Sequence, residues 1–468
     1  MPADAGAGSG TPEPLGLERL RRIHVIGIGG AGMSAIALVL LAMGHTVSGS
    51  DLKDSPVAER LRSRGISVAV GHDPENVAGA DAVTFSPAVP PENPELVRAA
   101  ADGIRVVARS EMLAAVCATR SCLAVAGTHG KTTTASMLSL ILVEAGLRPS
   151  FVIGADVNEI GTNAVWDSGE WLVVEADESY GTFQAIRPDL AVLTNVEPDH
   201  LDYYGTFEAL RGAFSSFLGS ARRGAVVCSD DPEAAGIAAA HGAITVGSAP
   251  GSTYVMGDLD LQRSSVSFTL HGPDGDLGGL RIGVPGLHNA RNGALAAVAA
   301  LQAGAPFEAA RAALARFAGV TRRFEFRGEA NGVTFVDDYA HLPTEVRAAL
   351  ATARSGGWSR VVAVFQPHRF SRTAALAAAF GSAFADADVL VVTDVYSAGE
   401  RPVPGVSGRL VADAVRAQDA RLPVTYAPGW EELRRAVGAA LEPGDLCLTL
   451  GAGDLTMLPD DLLDAPQW

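Results

Sequence analysis

Residues Gly127, Thr128, His129, Gly130, Lys131, Thr132 and Thr133 form a run suited to holding phosphate. An apolar stretch over 123–126 precedes it and a helical pattern over 135–145 follows. Glycines let backbone N–H groups approach phosphate oxygens, and a helix N-terminus adds positive potential. In such a loop the lysine, Lys131, reaches the β- and γ-phosphates and the hydroxyl of Thr132 ligates Mg2+. The common loop has a glycine five residues before its second glycine. That position is Val125 here, so the loop is a shortened variant. The plainer alternative is a turn with a surface lysine.

Other groups gather after apolar runs. The run 171–176 delivers Glu175, Asp177 and Glu178, and 190–194 delivers Glu197, Asp199, His200 and Asp202. A carboxylate and an imidazole beside a lysine–threonine loop suggest a metal-phosphate site. Taken individually, Asp177, Glu178, Asp199 and Asp202 read as solvated loop charges; Glu175, ending an apolar strand, reads so less readily. Near the N-terminus, Gly27, Gly29, Gly30 and Gly32 lie in a Gly-x-Gly-x-x-Gly run, with Ser50 and Asp51 where a ribose-binding acid falls. That pattern admits NAD, FAD or any diphosphate, and also a tight turn with no ligand. His288, Asn289 and Asn292 open an alanine-rich helix, as contacts to a purine edge or as helix caps. His368, Arg369 and Arg372 follow another apolar run, and Tyr339 and His341 follow a neighbouring one. Two arginines three apart beside a histidine can grip a carboxylate bidentately, or serve as interdomain ion pairs.

Strands must carry these groups on their C-terminal ends. Runs at 23–28, 46–49, 67–70, 82–85 and 105–107 alternate with helical segments, the first helix over 33–43. The alternation restarts with the phosphate loop, is interrupted by an irregular β insertion over 252–284 with a hairpin tip at 273–279, and resumes with 335–338, 361–365, 389–393 and 446–450. This is an α/β chain of three domains, predicted at 20–109, 110–322 and 323–468 after a disordered tail at 1–19. Residues 25–44 carry no charge, yet the glycines at the start mark a strand turning into a buried helix and argue against membrane insertion. A net charge of −17 argues against nucleic acid. The four cysteines, Cys117, Cys122, Cys228 and Cys447, lack zinc-ligand spacing and read as free thiols of a cytoplasmic protein.

The motifs GIGGAGMS (27–34), GTHGKTTT (127–134), EADES (175–179), TNVEPDHLD (194–202), HNARN (288–292), DDYAHLPTE (337–345), FQPHRFSRT (365–373) and GAGDL (451–455) occur in one order across about 20–460. In that combination the chain resembles the Mur ligase family. The resemblance implies a Rossmann-like N-terminal domain, a P-loop central ATPase domain and a Rossmann-like C-terminal domain. It further implies an ATP- and Mg2+-dependent ligase that phosphorylates the carboxylate of UDP-N-acetylmuramate, lets the amine of L-alanine displace the phosphate, and so serves peptidoglycan precursor synthesis. On that basis Lys131, Glu175, His200 and His368 are the catalytic residues, and Thr132, Glu175 and His200 hold metal. Gly127 to Thr133, Asn289, Asn292 and Arg323 bind ATP. Gly27, Gly29, Gly30, Gly32, Ser50, Asp51 and Ser86 bind the UDP-sugar. Tyr339, His341, His368, Arg369 and Arg372 bind the amino acid, with His368 as the better-placed proton acceptor. Tyr180 and Leu342 stand where the family usually has Asp and His. A monomer or a homodimer is expected.

Some relatives carry a carbamylated lysine at the second metal. The only lysines here are Lys53 and Lys131, so no functional carbamate is expected. Three alternatives remain open. A relative that adds a tripeptide to UDP-N-acetylmuramate would share the N-terminal domain type, though the Gly-Met-Ser end of the first motif favours alanine. A nicotinamide oxidoreductase would not require the second loop at Lys131. A non-catalytic UDP-sugar binder would not require Lys131, Glu175 and His200 together.

Overall fold

The computed structural model describes residues 15–464, apart from the side chains of Tyr180 and Asp202. The expected tail lies outside the described residues up to residue 14. Within its remainder, Leu17–Arg19 form a 3-10 turn with Leu17 packed into the first core, so order begins earlier than expected.

The first sheet is wholly parallel, in the order Ser67–Val70, Thr46–Asp51, Arg22–Ile26, Ala82–Phe85, Arg105–Ala108. The order reverses at Arg22–Ile26, so the crevice outside its C-terminal end opens at Gly27. The following helix, Ala31–Ala42, is apolar all round. Its Val39 and Leu40 share a buried cluster with Val152 and Ala164 of the second sheet. A helix covered on both sides needs no polar face, which explains the uncharged run. Among the described residues no helix is long and apolar enough to cross a membrane.

The second sheet has ten strands. At its centre Ser121–Ala126 lies parallel between Leu190–Leu193 and Trp171–Glu175. Burial on both faces explains why these read as continuous apolar runs. Several strands were not foreseen, among them Ala225–Cys228, Ile244–Gly247 and, at one edge of the sheet, the antiparallel pair Ser150–Val157 and Thr162–Val165. The Gly, Asn, Asp and Thr content of that pair reads as loop, and pairing beside Trp171–Glu175 orders it. The insertion at 252–284 is an antiparallel continuation of the same sheet: Tyr254–Gln262, Ser265–Gly272 and Gly275–Ile282. Register shifts between Gly257 and Asp260 and between Leu270 and His271 account for its irregular pattern. Gly275 to Gly279, expected in the hairpin tip, lie in a strand.

The third sheet runs Glu325–Ala330, Val333–Asp338, Leu446–Leu450, Val361–Phe365, Val389–Val392, Val424–Tyr426. The first pair is antiparallel and the rest parallel.

Candidate active site

The phosphate loop joins strand Ser121–Ala126 to helix Lys131–Glu144, which begins at the lysine itself. Gly127 has φ +133°, and a Cβ there would lie 2.0 Å from Thr194 Oγ1. Gly130 has φ +77°, and its Cβ would lie 2.6 Å from Asn292 Oδ1. Both positions therefore demand glycine, for conformation and for space. Asn195 fastens the loop: its Oδ1 accepts from His129 N at 2.8 Å and its Nδ2 donates to His129 O at 3.0 Å.

Lys131 Nζ donates to Gly127 O at 2.7 Å and to the Glu178 carboxylate at 2.8 and 3.0 Å. Burial pulls the Lys131 ammonium down, but Glu178, Asp177 and Glu175 outweigh it and raise its pKa, so it stays cationic. Burial pushes Glu178 up to about 7, assisted by Asp177 and opposed by Lys131. The two short contacts identify an ion pair, and Glu178 is 2% exposed. The expectation that Glu178 is a solvated loop charge is therefore corrected. The segment after strand Trp171–Glu175 coils into the 3-10 turn Ser179–Ala185 and folds Glu178 over the phosphate loop.

The predicted metal residues fall into two groups. Thr132 Oγ1 donates to Glu175 Oε1 at 3.0 Å, and Gly154 N holds the other carboxylate oxygen at 2.8 Å. His200, at φ +51°, instead gathers with Glu178 and Asp199, their ligand atoms all within 4.8 Å of one another. Burial lowers the His200 pKa, with Arg372 and Lys131 adding to it against Asp199 and Asp177, which leaves a neutral imidazole with a lone pair. Glu178 and Asp199, which taken individually read as solvated loop charges in the sequence, thus join His200 in a candidate metal group. Oxygen-rich donor sets of this kind fit Mg2+.

A cavity of about 330 Å³ opens beside the loop, lined by Gly130, Asn289, Asn292 and Arg323 among others. That is the lower end of the range for small-molecule pockets. Asn292 faces Gly130, whereas Asn289 Nδ2 donates to Pro285 O at 2.7 Å, so the amide nitrogen of Asn289 serves its own helix start. The His129 side chain is drawn out of the loop towards the third sheet. Its Nδ1 lies 3.1 Å from Glu345 Oε1 and its Nε2 lies 3.3 Å from Glu197 Oε2 and from Thr344 Oγ1. Those carboxylates, Glu345 foremost, overcome burial and raise its pKa to about 9.

On the first sheet, Asp51 Oδ2 accepts from Gly29 N at 2.9 Å, so this acid braces the glycine loop. Ser86 packs against Gly27 across the switch point. Ser50 is corrected: it is fully buried, and its Oγ donates to Glu95 at 2.6 Å. Side-chain alternation along Thr46–Asp51 puts Ser50 and Asp51 on opposite faces.

On the third sheet, Tyr339, His341, His368 and Tyr396 form a line of rings with centroids 5.4, 5.5 and 5.8 Å apart. Arg372 Nη1 donates to His368 Nδ1 at 3.0 Å, and Nη2 donates to Asp199 Oδ1 of the central sheet's loop at 3.4 Å. The interdomain ion pair considered for these arginines is thus present in Arg372. Arg369 Nε is buried without a partner. His368 is corrected as proton acceptor. Burial, His341 and the neighbouring arginines pull it down to about 3, and Arg372 occupies its Nδ1 lone pair. His341 is arranged differently: its Nδ1 lies 3.0 Å from Tyr339 O and 3.3 Å from Glu345 Oε2, so Nδ1 carries the proton and Nε2 keeps the lone pair.

Comparison with known proteins agrees along the whole length. Residues 22–121 match the Mur ligase family catalytic domain, 125–301 the Mur ligase middle domain, and 322–453 the Mur ligase glutamate ligase domain. A UDP-N-acetylmuramate–L-alanine ligase of Anaeromyxobacter dehalogenans is 46% identical over 450 residues, covering 95% of this chain and 98% of the relative. One from Renibacterium salmoninarum is 47% identical over 458 residues, covering 96% and 97%. The crystal structure of a UDP-N-acetylmuramate-alanine ligase from Thermotoga maritima superposes with a TM-score of 0.81 at 28% identity, covering 96% of this chain and 99% of that one. A murein peptide ligase from Psychrobacter arcticus shares the fold with a TM-score of 0.70 at 24% identity, covering 95% and 98%. Three matched domains in one order and relatives similar from end to end place this chain in the Mur ligase family.

Proposed function

We propose that the chain joins L-alanine to UDP-N-acetylmuramate with ATP, giving UDP-N-acetylmuramoyl-L-alanine, ADP and phosphate. One observation carries the reading: polar contacts run from Arg109, which lies beside Gly32 in the turn after the first glycine loop, to the third sheet, past the phosphate loop. Arg109 Nη2 donates to Asp177 at 3.2 Å, Asp177 accepts from Ser179 Oγ at 2.8 Å, and Ser179 Oγ lies 3.1 Å from His200 Nε2. Asp199, next to His200, then meets Arg372. A nucleotide sugar, a γ-phosphate and an amino acid can meet along that line.

In this reading ATP fills the cavity beside Gly130 and its phosphates lie on the loop amides. Lys131 leaves Glu178 for the β- and γ-phosphates. Thr132 with Glu175, and His200 with Glu178 and Asp199, would hold Mg2+, which supplies charge neutralisation during phosphoryl transfer. An oxygen of the sugar's carboxylate attacks the γ-phosphorus and ADP leaves. The alanine amine then attacks the acyl phosphate carbonyl, loses a proton, and phosphate departs. Arg369 and Arg372 grip the alanine carboxylate, and His341 Nε2 is the best-placed acceptor for the amine proton. Three domains around one cleft keep water from the acyl phosphate.

The test is phosphate release from ATP with UDP-N-acetylmuramate and, in turn, L-alanine, glycine, L-serine and the tripeptide of the recycling reaction. L-alanine should give the highest kcat/KM. Preference for the tripeptide would overturn the assignment, and reduction of NAD in place of phosphate release would overturn the reaction class.

A further inference from the structure

One cation stands between the two glycine loops without a part in the reaction as described. Arg109 opens helix Arg109–Cys117, where the chain leaves the first sheet for the second. On one side, its Nη1 would lie 3.1 Å from a Cβ placed on Gly32, in the first turn after the first glycine loop. On the other, its Nη2 donates to Asp177 Oδ2 at 3.2 Å. Its Nε is buried without a hydrogen-bond partner. A guanidinium presents Nε–H and Nη2–H side by side as a fork that matches two carboxylate oxygens. Here the fork is half used, and Asp177 takes only Nη2. Asp177 does not depend on Arg109 alone, because it also accepts from Ser179 N at 3.1 Å and Ser179 Oγ at 2.8 Å. A second unsatisfied group marks the same helical turn. Asn163 of the second sheet, 2% exposed, donates Nδ2 to Ala31 O at 3.1 Å and leaves Oδ1 unpartnered. Buried polar groups are ordinarily paired, so the unpaired Arg109 Nε–H beside this loop points to an acceptor that completes it, and the unpaired Asn163 Oδ1 to a donor such as a sugar hydroxyl.

We propose that Arg109 is a positioning residue for the carboxylate of the nucleotide sugar. The incoming carboxylate takes Nε and Nη2 together, displaces Asp177 from the fork, and is held between the first glycine loop and Lys131. The inference rests on the function proposed above and adds the residue that aims the acceptor carboxylate. In the unliganded chain the Asp177 carboxylate stands in for it.

Calorimetric titration of the full chain without ATP separates the possibilities. The ligands are UDP-N-acetylmuramate and UDP-N-acetylglucosamine, which has the same diphosphate and sugar frame but no carboxylate. Arg109→Gln should weaken UDP-N-acetylmuramate at least tenfold and leave UDP-N-acetylglucosamine within twofold. Arg109→Lys, which keeps the charge but not the fork, should fall between. Asp177→Asn should bind UDP-N-acetylmuramate as well as wild type or better. An equal loss for both ligands in Arg109→Gln would assign the arginine to the diphosphate and overturn the proposal. So would parallel losses in Arg109→Gln and Asp177→Asn, which a mere domain tie predicts. If wild type binds UDP-N-acetylmuramate and turns over but Arg109→Gln is indistinguishable from it, this proposal falls alone. If wild type binds neither ligand, the functional reading falls and takes the proposal with it.

Discussion

Glu95 offers a perturbation whose size follows from the structure. It lies in helix Pro94–Ala101 and is fully buried. Its carboxylate accepts from Ser50 Oγ at 2.6 Å and Asn76 Nδ2 at 2.5 Å, with His72 Nδ1 at 3.2 Å and His24 Nε2 at 3.7 Å. Burial by itself raises the pKa of such a group. His24, Ser50 and Asn76 outweigh burial and hold it at about 2, against an ordinary 4.5. At about 1.4 kcal/mol per pKa unit the difference is worth about 3 kcal/mol. The folded-state pKa is the lower one, so this stability is fully present above the unfolded value and is lost as pH falls through the folded one. Urea unfolding of wild type and Glu95→Gln between pH 7 and pH 3 checks it. Wild type should be the more stable at pH 7, and its advantage should shrink by about 2 kcal/mol by pH 3. The network also anchors Ser50, next to the Asp51 that braces Gly29, so the variant should bind UDP more weakly at neutral pH. Parallel stability curves across this range would refute the reasoning, because the carboxylate would then carry no stabilising charge.

Four further outcomes are expected. Lys131→Ala should lower kcat roughly 100-fold or more while UDP-N-acetylmuramate binding persists, as calorimetry and phosphate release can show, since the proposed function puts the two nucleotides on different sheets. Arg372→Ala should raise the KM for L-alanine far more than that for ATP; the reverse would make its pairing with Asp199 the more important contact. His341→Asn should remove the basic group and flatten the acid limb of the kcat–pH profile, whereas His368→Asn, starting from a pKa of about 3, should leave that limb in place. Bicarbonate should not change turnover, and mass spectrometry of the intact chain should show no carbamate, because Lys131 is committed as a cation among Glu178, Asp177 and Glu175.

Features that depend on neighbouring residues were legible in the chain. Strand, glycine loop and helix at 23–43 and 121–144 follow from local periodicity and from glycines that backbone conformation requires, and both loops formed there. Glu175 beside Thr132 also follows, since parallel strands bring their C-terminal ends together. Which face a polar group takes, and who meets it there, was decided by tertiary structure. Ser50 turned inward to Glu95, a residue 45 positions away. Glu178, read as a loop charge, became the buried partner of Lys131 across 47 positions. Arg372 reached Asp199 across 173, and in the same contact set its Nη1 occupied His368 Nδ1, which takes up the lone pair a proton acceptor there would need. Local sequence determines backbone conformation because it acts through the dihedral angles of adjacent residues. The ionisation and pairing of a side chain depend on burial and on charges within a few ångströms, and only the packed sheets bring those groups together.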